Sequence, residues 1–446
     1  MKGKRFETNQ RKGYELKEMA DFEFISEDRQ QEMQVINVYP EVKYQKMIGF
    51  GGAFTEAAGY TLSKMSENNQ AKIISSYFGE NGIGYTFCRN HINSCDFALG
   101  NYAYVEDPAD TEFSTFDISR DRQYIIPMIK KAQEVSKETI KFLASPWSPP
   151  PFMKTTGKMN NGGKLKDEFK MQWAKYIARY IKEYRKEGID TFALTVQNEP
   201  NAVQVWDSCT YTTEEEMTFV RDYLGPVLEA EGLSDVKIII WDHNKERVYE
   251  RARDIFSDAK AKDFIWGVGM HWYTGDHFDA VKITSEVYPD KPIIFTEGCV
   301  ERGMKVDPII NAEIYAHDML GNFNNGTAAH IDWNLILDEK GGPNHVENYC
   351  AAPIMCETNE DKVNIMLTYY YIGHFSKFIK PGSVRIGTSS YSENLEVSGY
   401  QTPEGNRVLV VLNRSEKDLD FHIRENGKLL KQTIDARSMI TLVYGE

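Results

Sequence analysis

Residues 165–200 read LKDEFKMQWAKYIARYIKEYRKEGIDTFALTVQNEP. In the first part Phe169, Trp173, Tyr176, Ile177, Tyr180 and Tyr184 recur at spacings of three and four, so one face of a helix over 165–187 is apolar. The second part, Thr191–Gln197, is an apolar run of strand length that stops at Asn198-Glu199-Pro200. Such a strand is apolar on both faces, which requires cover on both sides, and a helix that feeds straight into it supplies half of a βα repeat.

Outward from this stretch the alternation continues. Strand-length runs fall at Met47–Phe54, Gly84–Arg89, Ile140–Ala144, Val236–Trp241, Gly267–Trp272, Pro292–Thr296 and Ala328–Asn334, which with Thr191–Gln197 makes eight. Amphipathic segments lie between them. One, Thr213–Glu231, opens on Thr213 and Glu216 with the spacing of a capping box. Eight βα units in series predict an α/β fold, a closed parallel (β/α)8 TIM barrel. The ends of the chain differ. From Pro381 onward, Val384–Ile386, Leu395–Tyr400, Arg407–Leu412, Leu419–Ile423, Leu429–Thr433 and Met439–Tyr444 alternate and are separated by turn residues, and Gln34–Tyr39 near the N-terminus is also strand-like. The expected organisation is therefore an N-terminal segment 1–46, a barrel 47–380 and a C-terminal segment 381–446, with both ends building one accompanying β-sandwich.

The 446 residues carry 52 basic and 66 acidic side chains, a net charge of −14. This excess of negative charge argues against nucleic acid as a partner and against unaided docking on anionic membranes. No apolar run is long enough for an integral membrane segment. The N-terminus has basic residues but no apolar leader core, so the sequence as given reads as cytoplasmic, with other export routes left open. Six cysteines are too few for a disulfide scaffold and lack the spacing of a zinc site. No glycine-rich nucleotide loop is present, so neither metal nor cofactor is expected. The oligomeric state is left open.

In a βα barrel the C-terminal ends of the strands converge on one rim. Those ends carry Arg89 and, on the following loop, Asp96; then Trp147, Asn198-Glu199, Trp241-Asp242-His243, His271-Trp272-Tyr273, Glu297 and Trp333-Asn334. Glu199 and Glu297 follow the fourth and seventh strands and face each other across the mouth. Two carboxylates flanking a bond are what glycoside hydrolysis needs: one protonates the leaving oxygen, and the other attacks the anomeric carbon or activates water. Exposed indoles and phenols suit the apolar faces of a sugar ring, Trp147 on its proline-rich loop among them, while amides and charges suit its hydroxyls. His243 and His271 lack a ligand partner at metal-binding spacing.

Nine segments in order, Gly49–Glu56, Ser94–Phe97, Ala144–Trp147, Gln197–Pro200, His271–Tyr273, Thr296–Cys299, Asp332–Asn334, Gly341–Asn344 and Gly373–Ile379, give the chain a resemblance to the glucosylceramidase-like (acid β-glucosidase) enzymes of glycoside hydrolase family 30. The resemblance implies a retaining β-glycoside hydrolase without cofactor. It makes Glu199 the general acid/base and Glu297 the nucleophile. It places Arg89, Asp96, Trp147, Asn198, Tyr273, Trp333 and Asn348 at sugar-binding positions, and His271 on the same rim is expected to join them in binding substrate. The segment Asn201–Cys209 departs from the family, so a reshaped leaving-group side is expected there, with Trp206 as part of it. The substrate it suggests is a terminal β-glucoside such as glucosylceramide. An endo-β-1,6-glucanase acting on β-glucan is the alternative within the family. A non-catalytic carbohydrate-binding protein is the alternative class, and retention of both glutamates speaks against it. For this chemistry Glu199 is expected to have a raised pKa, from burial and from Glu297, while Arg89 keeps Glu297 ionised.

Overall fold

The computed structural model describes residues 1–27, 31–301 and 307–445. Eight parallel strands close into a barrel. They are β1 (Gly49–Phe54), β2 (Phe87–Ile92), β3 (Lys141–Pro146), β4 (Thr191–Thr195), β5 (Lys237–Asn244), β6 (Ile265–His271), β7 (Ile293–Glu297) and β8 (Thr327–Asn334). β8 returns to β1 through Ile331 opposite Gly51. The largest shift from the expected bounds is in β2: Gly84 takes φ +76, outside the strand region, and the strand begins only at Phe87. Phe87, Leu143, Ala193, Ile239, Ile294 and Ile331 from six strands form one buried cluster, so the barrel is filled rather than open.

The helix preceding β4 runs Lys170–Lys186, entered by a 3-10 turn over Asp167–Phe169. Its predicted face is buried: Trp173, Tyr176, Ile177, Tyr180 and Tyr184 are all at 0 % exposure. Gly188 in the left-handed region follows and stops it. The segment after β4 departs from expectation. The capping box is formed one residue earlier, with Thr212 Oγ1 accepting from Glu215 N–H at 3.1 Å and Glu215 Oε2 accepting from Thr212 N–H at 2.8 Å. Glu216 is instead buried on Arg251 at 2.7 Å and accepts from the Trp241 N–H. The helix also opens into a wider turn over Val220–Leu224 before Gly225–Ala230, where Pro226 cannot supply the N–H for a regular ladder.

Both chain ends enter a single eleven-stranded sheet. Val35–Lys46 lies between Val384–Ser390, antiparallel, and Leu419–Glu425, parallel. An N-terminal hairpin, Lys2–Asn9 with Tyr14–Glu18, pairs onto the last strand, Ser438–Tyr444. Ile36, Val38, Ile386, Leu409, Phe421, Ile423 and Leu442 form its separate core. The seam with the barrel is tied by His374, on the helix Leu367–Ser376, which bonds Thr8 Oγ1 at 2.9 Å and Thr441 Oγ1 at 2.8 Å. Beyond β8 a small sheet (Ile336–Asp338, Ile354–Glu357, Lys362–Ile365) carries, between its first two strands, the loop that brings Asn344, Asn348 and Cys350 to the barrel mouth.

Candidate active site

Glu297 is the last residue of β7, and Glu199 sits on the turn after β4. A carboxylate oxygen of each lies within 4.8 Å of the other and of a His271 ring nitrogen. The turn is strained: Glu199, Trp241 and Asp242 all have positive φ (+46, +73 and +52), and the Glu199 N–H is held by the Asp242 carbonyl at 3.0 Å. Side chains at such angles cost about 1–3 kcal/mol each and persist where neighbours fix them, as they do here at the two strand ends.

Arg89, from β2, organises the base of the site. Its Nη1 donates to Glu297 Oε2 at 2.7 Å; its Nη2 donates to Asp242 Oδ2 at 2.7 Å and to Asn198 Oδ1 at 3.0 Å; its Nε donates to Ser145 Oγ at 3.0 Å. The guanidinium also lies 4.7 Å from the Trp147 ring and 5.6 Å from that of Trp333. The two indoles stack with centroids 5.2 Å apart. The second oxygen of Glu297 accepts from Tyr273 Oη at 2.8 Å.

His271 joins the carboxylates. Its Nε2 is 3.0 Å from Asp242 Oδ1, and its Nδ1 is 3.2 Å from Glu199 Oε1 and 3.9 Å from Glu297 Oε1. Burial opposes a charged imidazole, but Glu297, Asp242 and Glu199 together raise it to about 9. Asp242 is buried, yet Arg89, His271 and the Thr296 hydroxyl hold it well below the usual carboxylate range. Glu199 departs from the sequence expectation. Burial pushes it up, but the His271 hydrogen bond and charge outweigh that and leave it below its ordinary value. Glu297 is pushed up, first by burial and then by Glu199, against the pull of His271 and Arg89. Asp96 rises to about 8, through burial and the charges of Glu297 and Asp207, and accepts from Asn344 Nδ2 at 3.2 Å.

A cavity of about 200 Å³ opens between the two glutamates. Asp96, Trp147, Asn198, Glu199, Trp206, Tyr273, Glu297, Trp333 and Asn348 line it, as do Gln204, His243, Asn244 and Glu301. Arg89 and His271 do not reach the wall. Both are at 0 % exposure behind the carboxylates: the Arg89 nitrogens are spent on Glu297, Asp242, Asn198 and Ser145, and those of His271 on Glu199 and Asp242, so neither faces the cavity. Trp147 is not the exposed platform that its prolines suggested: it is 2 % exposed, packed on Trp333 and Arg89. Asp242 is the residue whose importance the sequence understated. Its place at the end of β5 was visible, but its role follows from contacts with Arg89 and His271, which come from other strands.

Residues 47–379 match the glycosyl hydrolase family 30 TIM-barrel domain, and residues 382–442 match the family 30 beta sandwich domain. The chain belongs to glycosyl hydrolase family 30. Among its family 30 relatives, the lysosomal acid glucosylceramidase of Mus musculus is 33 % identical over 410 residues, covering 88 % of this chain and 79 % of that protein. The endo-1,6-beta-D-glucanase BGN16.3 of Trichoderma harzianum is 25 % identical over 426 residues, covering 90 % and 84 %. Among solved structures, SrfJ from Salmonella typhimurium superimposes with a TM-score of 0.97 at 40 % identity, and the endo-beta1,6-glucanase BT3312 with 0.90 at 26 %, each covering 100 % of both chains. As a family 30 member the chain is an O-glycosyl hydrolase, and its substrates are glycosides. No helix among the described residues is long and apolar enough to cross a membrane.

Proposed function

We propose that this family 30 chain is a retaining β-glycosidase that removes a terminal β-linked glucose, with Glu297 as nucleophile and Glu199 as acid/base. The observation that carries the reading is the approach of the two carboxylates to within 4.8 Å. So close an approach of one oxygen from each favours the about 5–5.5 Å spacing of a retaining pair over the about 6.5–9.5 Å of an inverting one.

In the first step a Glu297 oxygen attacks the anomeric carbon while Glu199 delivers a proton to the glycosidic oxygen. The proton is stored between Glu199 Oε1 and His271 Nδ1. Imidazolium with carboxylate, and imidazole with carboxylic acid, have the same total charge, so a substrate that displaces water from Glu199 needs only a shift across 3.2 Å. Once the glycosyl ester forms, the charge on Glu297 is gone. Glu199 then serves as base for the water that releases the sugar. Arg89 and Tyr273, donating to the two Glu297 oxygens, fix its aim and take up its charge when it leaves.

The cavity of about 200 Å³ is smaller than the about 300–1,000 Å³ of sites for drug-sized ligands, and it suits a single sugar ring. Asp96 would bond a ring hydroxyl, and Gln204 and Trp206 border the leaving-group side. The higher identity to glucosylceramidases than to β-1,6-glucanases supports exo action on a β-glucoside. The test is a parallel digestion of an aryl β-glucoside, glucosylceramide and a linear β-1,6-glucan. Free glucose from the first two is the expected result. Oligosaccharides from the glucan, with the glucosides untouched, would assign endo action instead.

A further inference from the structure

The geometry points to a redox modification site in the wall of the same cavity: Cys299 and Cys350 form a thiol pair that closes to a cystine and thereby slows turnover at Glu297. The two sulfurs are 3.1 Å apart, and both side chains are buried. No other pair of cysteine sulfurs among the described residues makes such a contact. The backbones are already held side by side, since Glu301 bridges Cys350 in antiparallel fashion and the Ala351 N–H bonds the Val300 carbonyl at 2.8 Å. Closure to the about 2.05 Å of a disulfide therefore asks mainly for side-chain adjustment. Both cysteines line the cavity, which gives a small oxidant its way in.

The oxidant is hydrogen peroxide. One sulfur, as thiolate, attacks a peroxide oxygen and becomes a sulfenic acid, and the other peroxide oxygen leaves as water. The second thiol attacks the sulfenic sulfur, the S–S bond forms, and the hydroxyl departs as a second water. Two electrons and two protons pass from the thiols to the peroxide. The neighbouring Cys350 sulfur and burial raise the Cys299 thiol well above its ordinary value, so the reaction is slow at neutral pH and faster in alkali.

The link to catalysis is short. Cys299 stands two residues after Glu297, and its Sγ is 3.5 Å from the Tyr273 hydroxyl that donates to Glu297. Its carbonyl also holds the Trp272 indole N–H at 3.3 Å. Drawing this sulfur toward Cys350 shifts the segment that aims the nucleophile, and misplacement by about 1 Å can cost about 10²-fold in rate. The effect on turnover rests on Glu297 as nucleophile, whereas the bond itself does not.

The experiment uses the full chain, reduced, freed of reductant and treated with hydrogen peroxide at pH 8. Remaining thiols are then alkylated, and the peptides are mapped by mass. The expected result is a peptide pair linked through Cys299 and Cys350. Hydrolysis of an aryl β-glucoside should fall by about fivefold or more, within the range above, and return on reduction. Cys350→Ser, compared with its own untreated activity, should lose both the cross-link and the reversible fall. If that variant does not fold, the mapping and reversal in the unmodified chain decide alone. Two thiols that stay open to alkylation overturn the proposal, and so does a cystine that leaves turnover unchanged. A cystine in a chain that hydrolyses no glycoside in either state upholds the modification site and overturns the functional reading instead.

Discussion

His271 and His374 are both at 0 % exposure, yet the first is raised to about 9 and the second lowered to about 3. Burial works against the charged form of each. What differs is the company. Three carboxylates face His271 within 3.9 Å, whereas two threonine hydroxyls face His374. The barrel mouth thus holds charge out of water, whereas the surroundings of His374 exclude it. The same contrast separates Arg89, whose nitrogens are spent on two carboxylates, an amide and a hydroxyl, from the barrel interior beneath it, which is aliphatic and aromatic.

The largest break in this contrast comes from the mouth. Glu297→Gln should lower turnover of an aryl β-glucoside by more than the about 10²–10⁴-fold that acid–base catalysis supplies, because no ester can form. Steady-state rates check it. For Glu199→Ala the expected loss is about 10²–10⁴-fold with a poor leaving group and far less with an activated one, with azide restoring turnover as a glucosyl azide. Equal losses for both leaving groups would reassign the acid.

Asp242→Asn removes a carboxylate from between Arg89 and His271. Arg89 keeps Glu297 and His271 keeps Glu199 and Glu297, so the cost stays below the about 3–5 kcal/mol of orphaning a buried charge and is read as a modestly lowered denaturation midpoint. The same change should bring the His271 pKa down from about 9 toward its ordinary value, visible in the ring NMR signals.

The smallest effects are in the pH dependence of stability, and they have opposite signs. His374 has a folded pKa below its unfolded one, so its contribution is present above about pH 6.5 and is lost as pH falls toward 3. His330, lowered to about 3 by burial and Lys245, acts in the same direction. His271 has a raised pKa, so its contribution is present below about pH 6.5 and is lost as pH rises through 9. Melting temperatures from pH 4 to 10 should show His374→Gln flattening the acid limb and His271→Gln flattening the alkaline limb. Identical limbs in both variants would remove the distinction.

The strands were legible because a parallel barrel buries both faces, so β1 to β8 read as unbroken apolar runs. The helix Lys170–Lys186 was legible because its aromatic residues keep helical spacing. Thr213 and Glu216 have the spacing of a capping box just as Thr212 and Glu215 do, and only the buried Arg251 selects between them. Glu199 and Glu297 were readable as rim carboxylates. That His271 holds Glu199 down, that Arg89 and His271 stand behind the acids, and that Trp147 is packed rather than exposed all depend on contacts between different strands, which no local pattern encodes. The N-terminal hairpin escaped notice because Lys2–Asn9 and Tyr14–Glu18 are polar and largely solvated on one side.

The central claim, a covalent step at Glu297, is tested most directly by trapping. The enzyme is incubated with a 2-deoxy-2-fluoro-β-glucosyl fluoride, and the labelled peptide is sequenced by mass spectrometry. The account predicts loss of activity with one fluoroglucosyl group esterified to Glu297. A label on any other residue, or no label on an enzyme that releases the α-anomer first from β-glucosides, would contradict it.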